Sequence, residues 1–295
     1  TETGAGTLAG WLLAPADAPT IIRRQAAVAD LAPRLPLRHD LAVVADLVGG
    51  SVDSTALRRW LASTEPPLPA WVGGAALAVG LVNVASLVAA LAGWAPGYLV
   101  LPGLAASIGL TAGFGGRVRR LLAEADRPAA ELRVLAALVN RVAPERFEAP
   151  LLVESLGPLG GPDRALQEIR RLERLVDLVD ARRNQLFAPV AAALLLGTQL
   201  SARIDRWRAR MGPVAIGWLS AIGQLEALSA LATASFEHPR DAFPVVGPPA
   251  DPLRATGLAH PLLPPARAIP NDVALGDPVR LAMVSGSNMS GKSTL

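Results

Sequence analysis

Apolar residues recur at helical spacing along most of this chain, and the pattern predicts a mainly α-helical protein. In the first 65 residues four short helices are predicted, over 4–13, 18–32, 37–48 and 53–63, separated by prolines and by Gly49-Gly50. Asp53 and Ser54 suit the N-cap of the fourth. The same spacing predicts later helices over 117–126, 129–142, 163–185, 186–210 and 213–236, with a stop at Gly212-Pro213.

One long stretch does not alternate between apolar and charged positions, because residues 66–116 contain no charged side chain. It divides into two apolar segments, Trp71–Trp94 and Tyr98–Phe114, separated by Ala95-Pro96-Gly97. A helix over the first segment would be about 35 Å long, which exceeds the ~30 Å hydrocarbon core of a bilayer. The tryptophans and the tyrosine at the segment ends match the aromatic belt of membrane proteins. We therefore expect a helical hairpin inserted in a membrane through residues 71–115.

Arginines flank the uncharged stretch on both sides: Arg58 and Arg59 precede it, and Arg117, Arg119 and Arg120 follow it. The positive-inside rule then predicts that both ends of the hairpin face the cytoplasm, with the protein in the inner membrane. The alternative is a buried helix pair inside a soluble, cytoplasmic protein. The many alanines and glycines favour this alternative weakly, whereas fifty consecutive uncharged residues oppose it.

A basic helix face lies between residues 163 and 185, opposite the apolar stripe formed by Leu166, Ile169, Leu172, Leu175, Val176 and Val179. Acidic residues such as Glu173 and Asp177 interrupt its arginines. This mixture favours a solvated helix surface over a DNA contact. The formal net charge of +3 is also small for 295 residues, and the absence of cysteine excludes disulfides, thiolate metal sites and cysteine nucleophiles.

From Pro239 the pattern changes to proline-rich segments with short, strand-like apolar runs at 242–246, 253–258 and 279–284. We therefore expect a domain boundary near residue 240. The predicted organisation is a helical part at 1–65, the apolar hairpin at 66–116, a helical continuation at 117–240 and the start of an α/β domain at 241–295.

The most specific motif follows the last of these runs, Leu281–Val284. The sequence Gly286-x-x-x-x-Gly291-Lys292-Ser293 has every fixed position of a phosphate-binding loop. Glycines allow successive backbone N–H groups to surround a phosphate. Lys292 is expected to reach the β- and γ-phosphates, and the Ser293 hydroxyl to coordinate Mg²⁺. A simple glycine turn between strand and helix is the alternative.

The full loop, Ser285–Thr294, resembles the nucleotide-binding loop of the MutS family, in which Asn-Met also stands between the glycines. Three other stretches resemble the same family. Gly257–Leu263 is similar to its Gly-Arg-His-Pro-Leu-Leu turn, and Ile269–Leu275 to its Val-Pro-Asn-Asp lead-in. Trp11–Pro15 followed by Ile22–Val28 is similar to the opening of its helical core.

The resemblance implies a helical lever domain followed by the truncated start of an ABC-type ATPase domain, with ATP and Mg²⁺ as ligands and a homodimer formed through the ATPase domains. DNA is a partner by this resemblance only. By position, Asn271 would contact the adenine. The implied phosphate and Mg²⁺ ligands are Gly286, Ser287, Asn288, Met289, Ser290, Gly291, Lys292, Ser293 and Thr294. Ala268 and Ile269 stand where the family places an aromatic residue against the base, and His260 matches a turn residue.

Two departures from the family bear on function. No Phe-x-Glu sequence is present, so the mismatch-reading wedge is missing, and the uncharged hairpin stands where a repair protein would carry its long lever and DNA clamp. The chain therefore resembles a membrane-associated MutS-like subgroup. The family's acidic Mg²⁺ and water-activating residue would follow Leu295, so we expect no catalytic residue within these 295 residues and no hydrolysis by them. A soluble mismatch-repair protein and a transporter ATPase fused to its spans are the alternatives, and Asn288-Met289 argues against the transporter.

Overall fold

The computed structural model describes residues 1–48, 54–159, 162–181, 188–248, 251–260, 263–264 and 266–286. The chain forms two compact units, Thr1–Ala242 and Phe243–Leu295. The first unit is entirely helical in its described part, whereas the second contains two short strands. The predicted mainly helical fold is therefore confirmed.

Four short helices open the first unit: α1 (Glu2–Leu13), α2 (Ala18–Leu31), α3 (Leu35–Val48) and α4 (Ser54–Leu61). Each lies within two residues of its predicted bounds. The Asp17 carboxylate caps α2 by accepting the Thr20 backbone N–H at 3.2 Å. The proposed cap residue Asp53 lies outside the described residues.

The apolar hairpin consists of α5 (Ala70–Leu91) and the first part of α6 (Leu101–Val142), joined by a turn that includes a 3₁₀ segment, Gly97–Val100. The prediction of separate helices over 117–126 and 129–142 is wrong, because α6 continues for 42 residues with Pro128 inside it. Proline removes one helical hydrogen bond and costs about 3 kcal/mol. Leu121, Leu132 and Leu135 are buried on both sides of it, and their packing outweighs that cost.

Four further helices complete the unit: α7 (Pro150–Leu156), α8 (Pro162–Ala181), α9 (Ala188–Ala193) and α10 (Leu196–Glu237). The prediction of one helix over 186–210 is wrong at Leu195, whose left-handed backbone (φ 50°) separates α9 from α10. The predicted stop at Gly212-Pro213 is also wrong, because α10 runs through both residues. A Cβ on Gly212 would lie 2.4 Å from the Leu61 carbonyl oxygen, so the glycine lets α4 and α10 pack closely beside the proline.

Helix α10 is the centre of the hydrophobic core. It contacts α1, α2, α4, α5, α6, α7, α8 and α9. Trp207 on this helix stacks on Trp60 of α4 with ring centroids 6.3 Å apart, and its Nε1 donates a 3.0 Å hydrogen bond to the Glu168 carbonyl of α8. The largest fully buried side chains are Leu31, Leu37, Leu57, Leu132, Leu138, Leu152, Ile169, Leu172, Ile204, Trp218, Leu225 and Leu228.

In the second unit, β1 (Leu253–Leu258) pairs antiparallel with β2 (Asn271–Leu275). The predicted strand at 253–258 is confirmed, whereas the sequence pattern missed β2. The predicted strands at 242–246 and 279–284 are wrong, since these residues have no regular secondary structure. A strand requires a neighbour for its backbone N–H and C=O groups. In the described part of this unit the sheet contains β1 and β2 alone, and residues 242–246 and 279–284 join neither of its edges.

Candidate functional site

The phosphate loop itself lies almost entirely outside the described residues. Gly286 is exposed and is the last residue described. The other predicted nucleotide ligands, Ser287, Asn288, Met289, Ser290, Gly291, Lys292, Ser293 and Thr294, are not among the described residues, and with them the Mg²⁺ ligand Ser293. The phosphate-binding prediction therefore rests on the sequence motif.

The segment before the loop differs from the expected buried strand. Leu281, Met283 and Val284 are exposed, and no ladder pairs their backbone. In a phosphate-loop protein this position is a strand inside a parallel sheet, where both faces are covered. The described part of this unit contains no such sheet. The strand prediction thus fails for lack of neighbours rather than for lack of apolar residues.

The predicted adenine contact, Asn271, begins β2. Its side chain is exposed, and its amide nitrogen donates a 3.1 Å hydrogen bond to the Ile269 carbonyl. Ile269 is itself 78% exposed, so this surface presents no covered pocket for a base among the described residues. Asn271 is therefore placed at an open strand end, and its proposed contact with adenine stays a prediction.

A bulge in β1 explains why glycine is needed at residue 257. The strand register shifts between Ala255 and Leu258, and Gly257 there has φ +65°. This left-handed conformation favours glycine. The Asp272 carboxylate accepts the Gly257 backbone N–H at 2.7 Å and holds the bulge. Both residues belong to stretches that resemble the MutS family, yet sequence reasoning assigned Asp272 no role. The sequence feature that could have indicated this role is an acidic residue directly after Asn271, in the strand that pairs with the one containing Gly257.

The apolar hairpin is the most distinctive feature of the first unit. Only 11% of the apolar window in α5 is buried, and only 6% of the apolar window within Gly97–Glu124. Large side chains point outward along both helices, among them Leu77, Leu81, Val82, Leu87, Val88, Leu91, Trp94, Leu101, Leu104 and Ile108. Patches of this size on a soluble monomer are rare. These exposed side chains do not fit the alternative of a helix pair buried inside this chain's own core.

One face of the hairpin does pack against protein. Val72, Ala76 and Gly80 are buried at helical spacing on α5. Trp71 meets Phe114 edge to face, with centroids 5.6 Å apart, near the open end of the hairpin. Farther along, the Asn83 amide donates to Ser107 Oγ at 2.8 Å, next to Gly103, where an added Cβ would lie 2.2 Å from Asn83 Oδ1. Small residues and one amide therefore hold the two helices together, as in many membrane helix pairs.

Asp205 of α10 anchors both legs of the hairpin at its base. Its carboxylate, 1% exposed, accepts the Leu68 backbone N–H at 2.7 Å on the chain entering α5. It is also paired with Arg117 of α6 at 3.4 Å and with Arg208 of α10 at 2.8 Å. Arg117 additionally donates to the Pro66 carbonyl. The hydrogen bonds of one buried carboxylate thus join α10 to both ends of the charge-free stretch.

On the basic face of α8, Glu168 pairs with two arginines, one from α8 and one from α10. Glu168 accepts from Arg171 at 3.0 Å and from Arg210 of α10 at 2.8 Å, and both arginines are largely exposed. Paired and solvated guanidinium groups suit a helix surface in water. In the described part of the chain, no group of three or more His, Asp or Glu side chains is arranged to hold a metal ion.

Comparisons with known proteins name no relative for this chain: no family model matches it, and neither a curated protein nor a solved structure matches it.

Proposed function

We propose that this chain is a membrane-anchored, MutS-like ATP-binding protein that acts as an ATP-driven dimeric switch. The observation that carries the proposal furthest is the charge-free hairpin, whose apolar side chains are exposed although the rest of the unit has a well-packed core. Hydrocarbon is the environment in which such a surface is stable. The arginines at its base, on both sides, favour a cytoplasmic location for the remainder of the chain.

The nucleotide half of the proposal is supported by sequence. Gly286, Gly291, Lys292 and Ser293 have the spacing of a phosphate loop, and Asn288-Met289 resembles the MutS version of it. ATP with Mg²⁺ is the ligand implied. Binding to DNA has no support beyond the family resemblance, and the interrupted basic face of α8 does not strengthen it.

Continuous helices offer a physical connection between membrane and core in this proposal. Helix α6 extends over 42 residues, about 63 Å, from the hairpin turn into the core of the first unit. Asp205 ties the base of the hairpin to α10, which is equally long. A movement of the helical core, which the MutS resemblance couples to ATP, would therefore reach the membrane helices as a rigid-body shift rather than be absorbed in a loop.

The membrane half is tested with the whole chain and lipid vesicles. We expect the chain to float with vesicles and to need detergent in their absence. Leu81→Asp places a charge on the exposed middle of α5, which should weaken insertion by about 2.5–3.5 kcal/mol. Val153→Asp, on the exposed surface of α7, is the matched control and should leave flotation unchanged. A wild-type chain that is monomeric and soluble in plain buffer would contradict the membrane half and favour the soluble alternative.

The nucleotide half is tested by binding of a fluorescent ATP analogue in the presence of Mg²⁺. Lys292→Ala removes the charge-assisted hydrogen bond to the phosphates, so we expect affinity to fall by about tenfold or more. Arg280→Ala removes an equal charge from the exposed residues before the loop and should have little effect. Equal losses in both variants would indicate nonspecific attraction of the anion. Mismatched and perfect duplex DNA serve as further probes, and a preference for the mismatch would favour the repair alternative.

A further inference from the structure

We infer that a third segment, residues 188–202, enters the same apolar layer as the hairpin and turns back at Leu195 without crossing it. This inference rests on the proposed membrane insertion of α5 and α6. Sequence reasoning interpreted these residues as part of a core helix, because the run is short for a span and contains Pro189. The geometry of α9 and the start of α10 points instead to a re-entrant element, in which α9 contacts lipid chains and the start of α10 is buried against protein.

The depth of the turn follows from its contacts with α5. The Ala193 carbonyl accepts a 3.2 Å hydrogen bond from the Asn83 amide, and a Cβ on Gly80 would lie 2.6 Å from the Leu194 carbonyl oxygen. Residues 80–83 are 10 to 13 residues from the start of α5 at Ala70, which corresponds to about 15–20 Å along the helix axis. This is about half of the ~30 Å hydrocarbon thickness. The turn at Leu195 therefore lies near the middle of the layer that α5 would cross.

Contacts with α5 also show where the start of α10 leads after the turn. Beside Gly73, near the base of the hairpin, lie Ala202 and Arg206 of α10. From Leu196 to Ala202 the chain thus runs from mid-depth back to the base. Residues 184–202 carry no charge, and arginines stand at both of their ends, at Arg183 and Arg203. Nineteen uncharged residues with a turn inside them cannot cross twice but can enter and leave on one side.

Backbone hydrogen bonding at the turn fits a dry environment. The left-handed Leu195 interrupts the helix, and two carbonyl groups beside it receive side-chain donors. Gln199 Nε2 donates to the Leu194 carbonyl at 2.6 Å, and the Asn83 amide donates to the Ala193 carbonyl. Water would satisfy such carbonyls in an exposed loop, whereas a break within hydrocarbon requires protein partners. The outward residues of α9, Pro189, Val190 and Ala192, are apolar and exposed, and lipid chains are the occupant that suits them.

Spin labelling of single cysteines tests this inference directly, since the chain has no native cysteine. The three sites are Ala192→Cys on α9, Leu81→Cys on α5 and Val153→Cys on α7, all of them exposed, so that the label disturbs little packing. The full chain is placed in phosphatidylcholine–phosphatidylglycerol vesicles. Relaxation of each label by oxygen, which concentrates in lipid, is compared with relaxation by a water-soluble nickel chelate.

We expect the labels at 81 and 192 to be relaxed strongly by oxygen and several-fold less by nickel than the label at 153. If 81 is in lipid and 192 behaves like 153, the re-entrant inference is wrong while the membrane proposal stands. If 81 itself behaves like 153, the membrane proposal is wrong and this inference with it.

Discussion

Helices α5 and α10 each contain a long apolar window, and the surroundings of the two windows are opposite. Both are long and apolar enough to cross a membrane, with a mean hydropathy of 2.1 in the window of α5 and 1.4 in that of α10. Yet 56% of the α10 window is buried inside the protein, against 11% for α5. Charges explain the difference in part: α10 contains Asp205 and Arg208, which are buried and paired with each other, whereas α5 has none. Apolarity alone therefore does not distinguish a membrane helix from a core helix.

The largest expected effect is at the junction of the two helices. Asp205→Ala removes the carboxylate that pairs with Arg208 and accepts the hydrogen bond of the Leu68 N–H. The buried Arg208 then lacks this carboxylate partner. We expect a loss of about 3–5 kcal/mol in the free energy of unfolding of the detergent-solubilised chain. Glu154→Ala breaks the exposed pair with Arg23 and should cost at most about 1 kcal/mol. Equal effects from the two variants would show that the Asp205 cluster does not anchor the hairpin.

A matched leucine pair tests the contrast in burial itself. Leu228 on α10 is fully buried, and Leu81 on α5 is 56% exposed. In detergent we expect Leu228→Ala to destabilise the first unit by about 2–5 kcal/mol, because it leaves a cavity. The change Leu81→Ala should cost much less, about 0.5 kcal/mol, since more than half of this side chain is exposed and little protein packing is lost. Thermal unfolding followed by circular dichroism measures both, and a large effect at Leu81 would mean that α5 is buried after all.

Two glycines on α5 separate its packed face from its outer face. A Cβ at Gly80 meets the Leu194 backbone at 2.6 Å, whereas a Cβ at Gly74 meets nothing within 4 Å. Gly80→Ala should therefore cost about 1–3 kcal/mol through overpacking. By contrast, Gly74→Ala should stabilise by about 0.5–1 kcal/mol, because alanine is the better helix former. Thermal unfolding measures both variants. A larger loss of stability for Gly74→Ala than for Gly80→Ala would contradict the close contact between Gly80 and Leu194, on which the depth of Leu195 depends.

The smallest expected effect is a loss of stability at low pH. Burial raises the pKa of Asp30, but the hydrogen bonds from the Ala149 and Glu148 N–H groups and from Arg34 outweigh it, so the pKa is lowered below its usual 3.8. A lowered pKa stabilises the folded state above pH 3.8, and this contribution is lost as the pH falls through the folded-state value. We expect the melting temperature to fall below about pH 4, with a smaller fall in Asp30→Asn. The hairpin, which has no acidic side chain, should keep its helicity there.

Local helix signals in the sequence were reliable over the first 61 residues. Prolines and Gly49-Gly50 located α1 to α4 within two residues, because each break depends on a few neighbouring residues. The same rules failed at Pro128 and at Gly212-Pro213. There the long-range packing of buried leucines, and of Gly212 against Leu61, outweighs a local cost of about 3 kcal/mol. Sequence signals for helix breaks were thus overridden only where tertiary contacts were dense.

The candidate site was predictable to different extents in its two parts. The phosphate loop is predicted from residues 286–293 because all fixed positions of the motif are close together in the sequence, and it stays a prediction, since residues 287–295 lie outside the described part of the chain. The role of Asp272 at the Gly257 bulge required the strand register, because the two residues are 15 positions apart. Residues 279–284 look like a strand in sequence, but a strand forms only with a neighbour to pair with.

By itself, the sequence determined the helical character of this protein and its charge-free hairpin with arginines at both ends, and it predicts a phosphate loop that resembles the MutS version. These properties depend on composition and on short spacing along the chain. Only the tertiary structure decided that α5 is exposed while α10 is buried, and that the turn at Leu195 lies halfway along α5. Such properties depend on which distant residues pack together, as Asp205 does with Leu68 and Asn83 with Ala193.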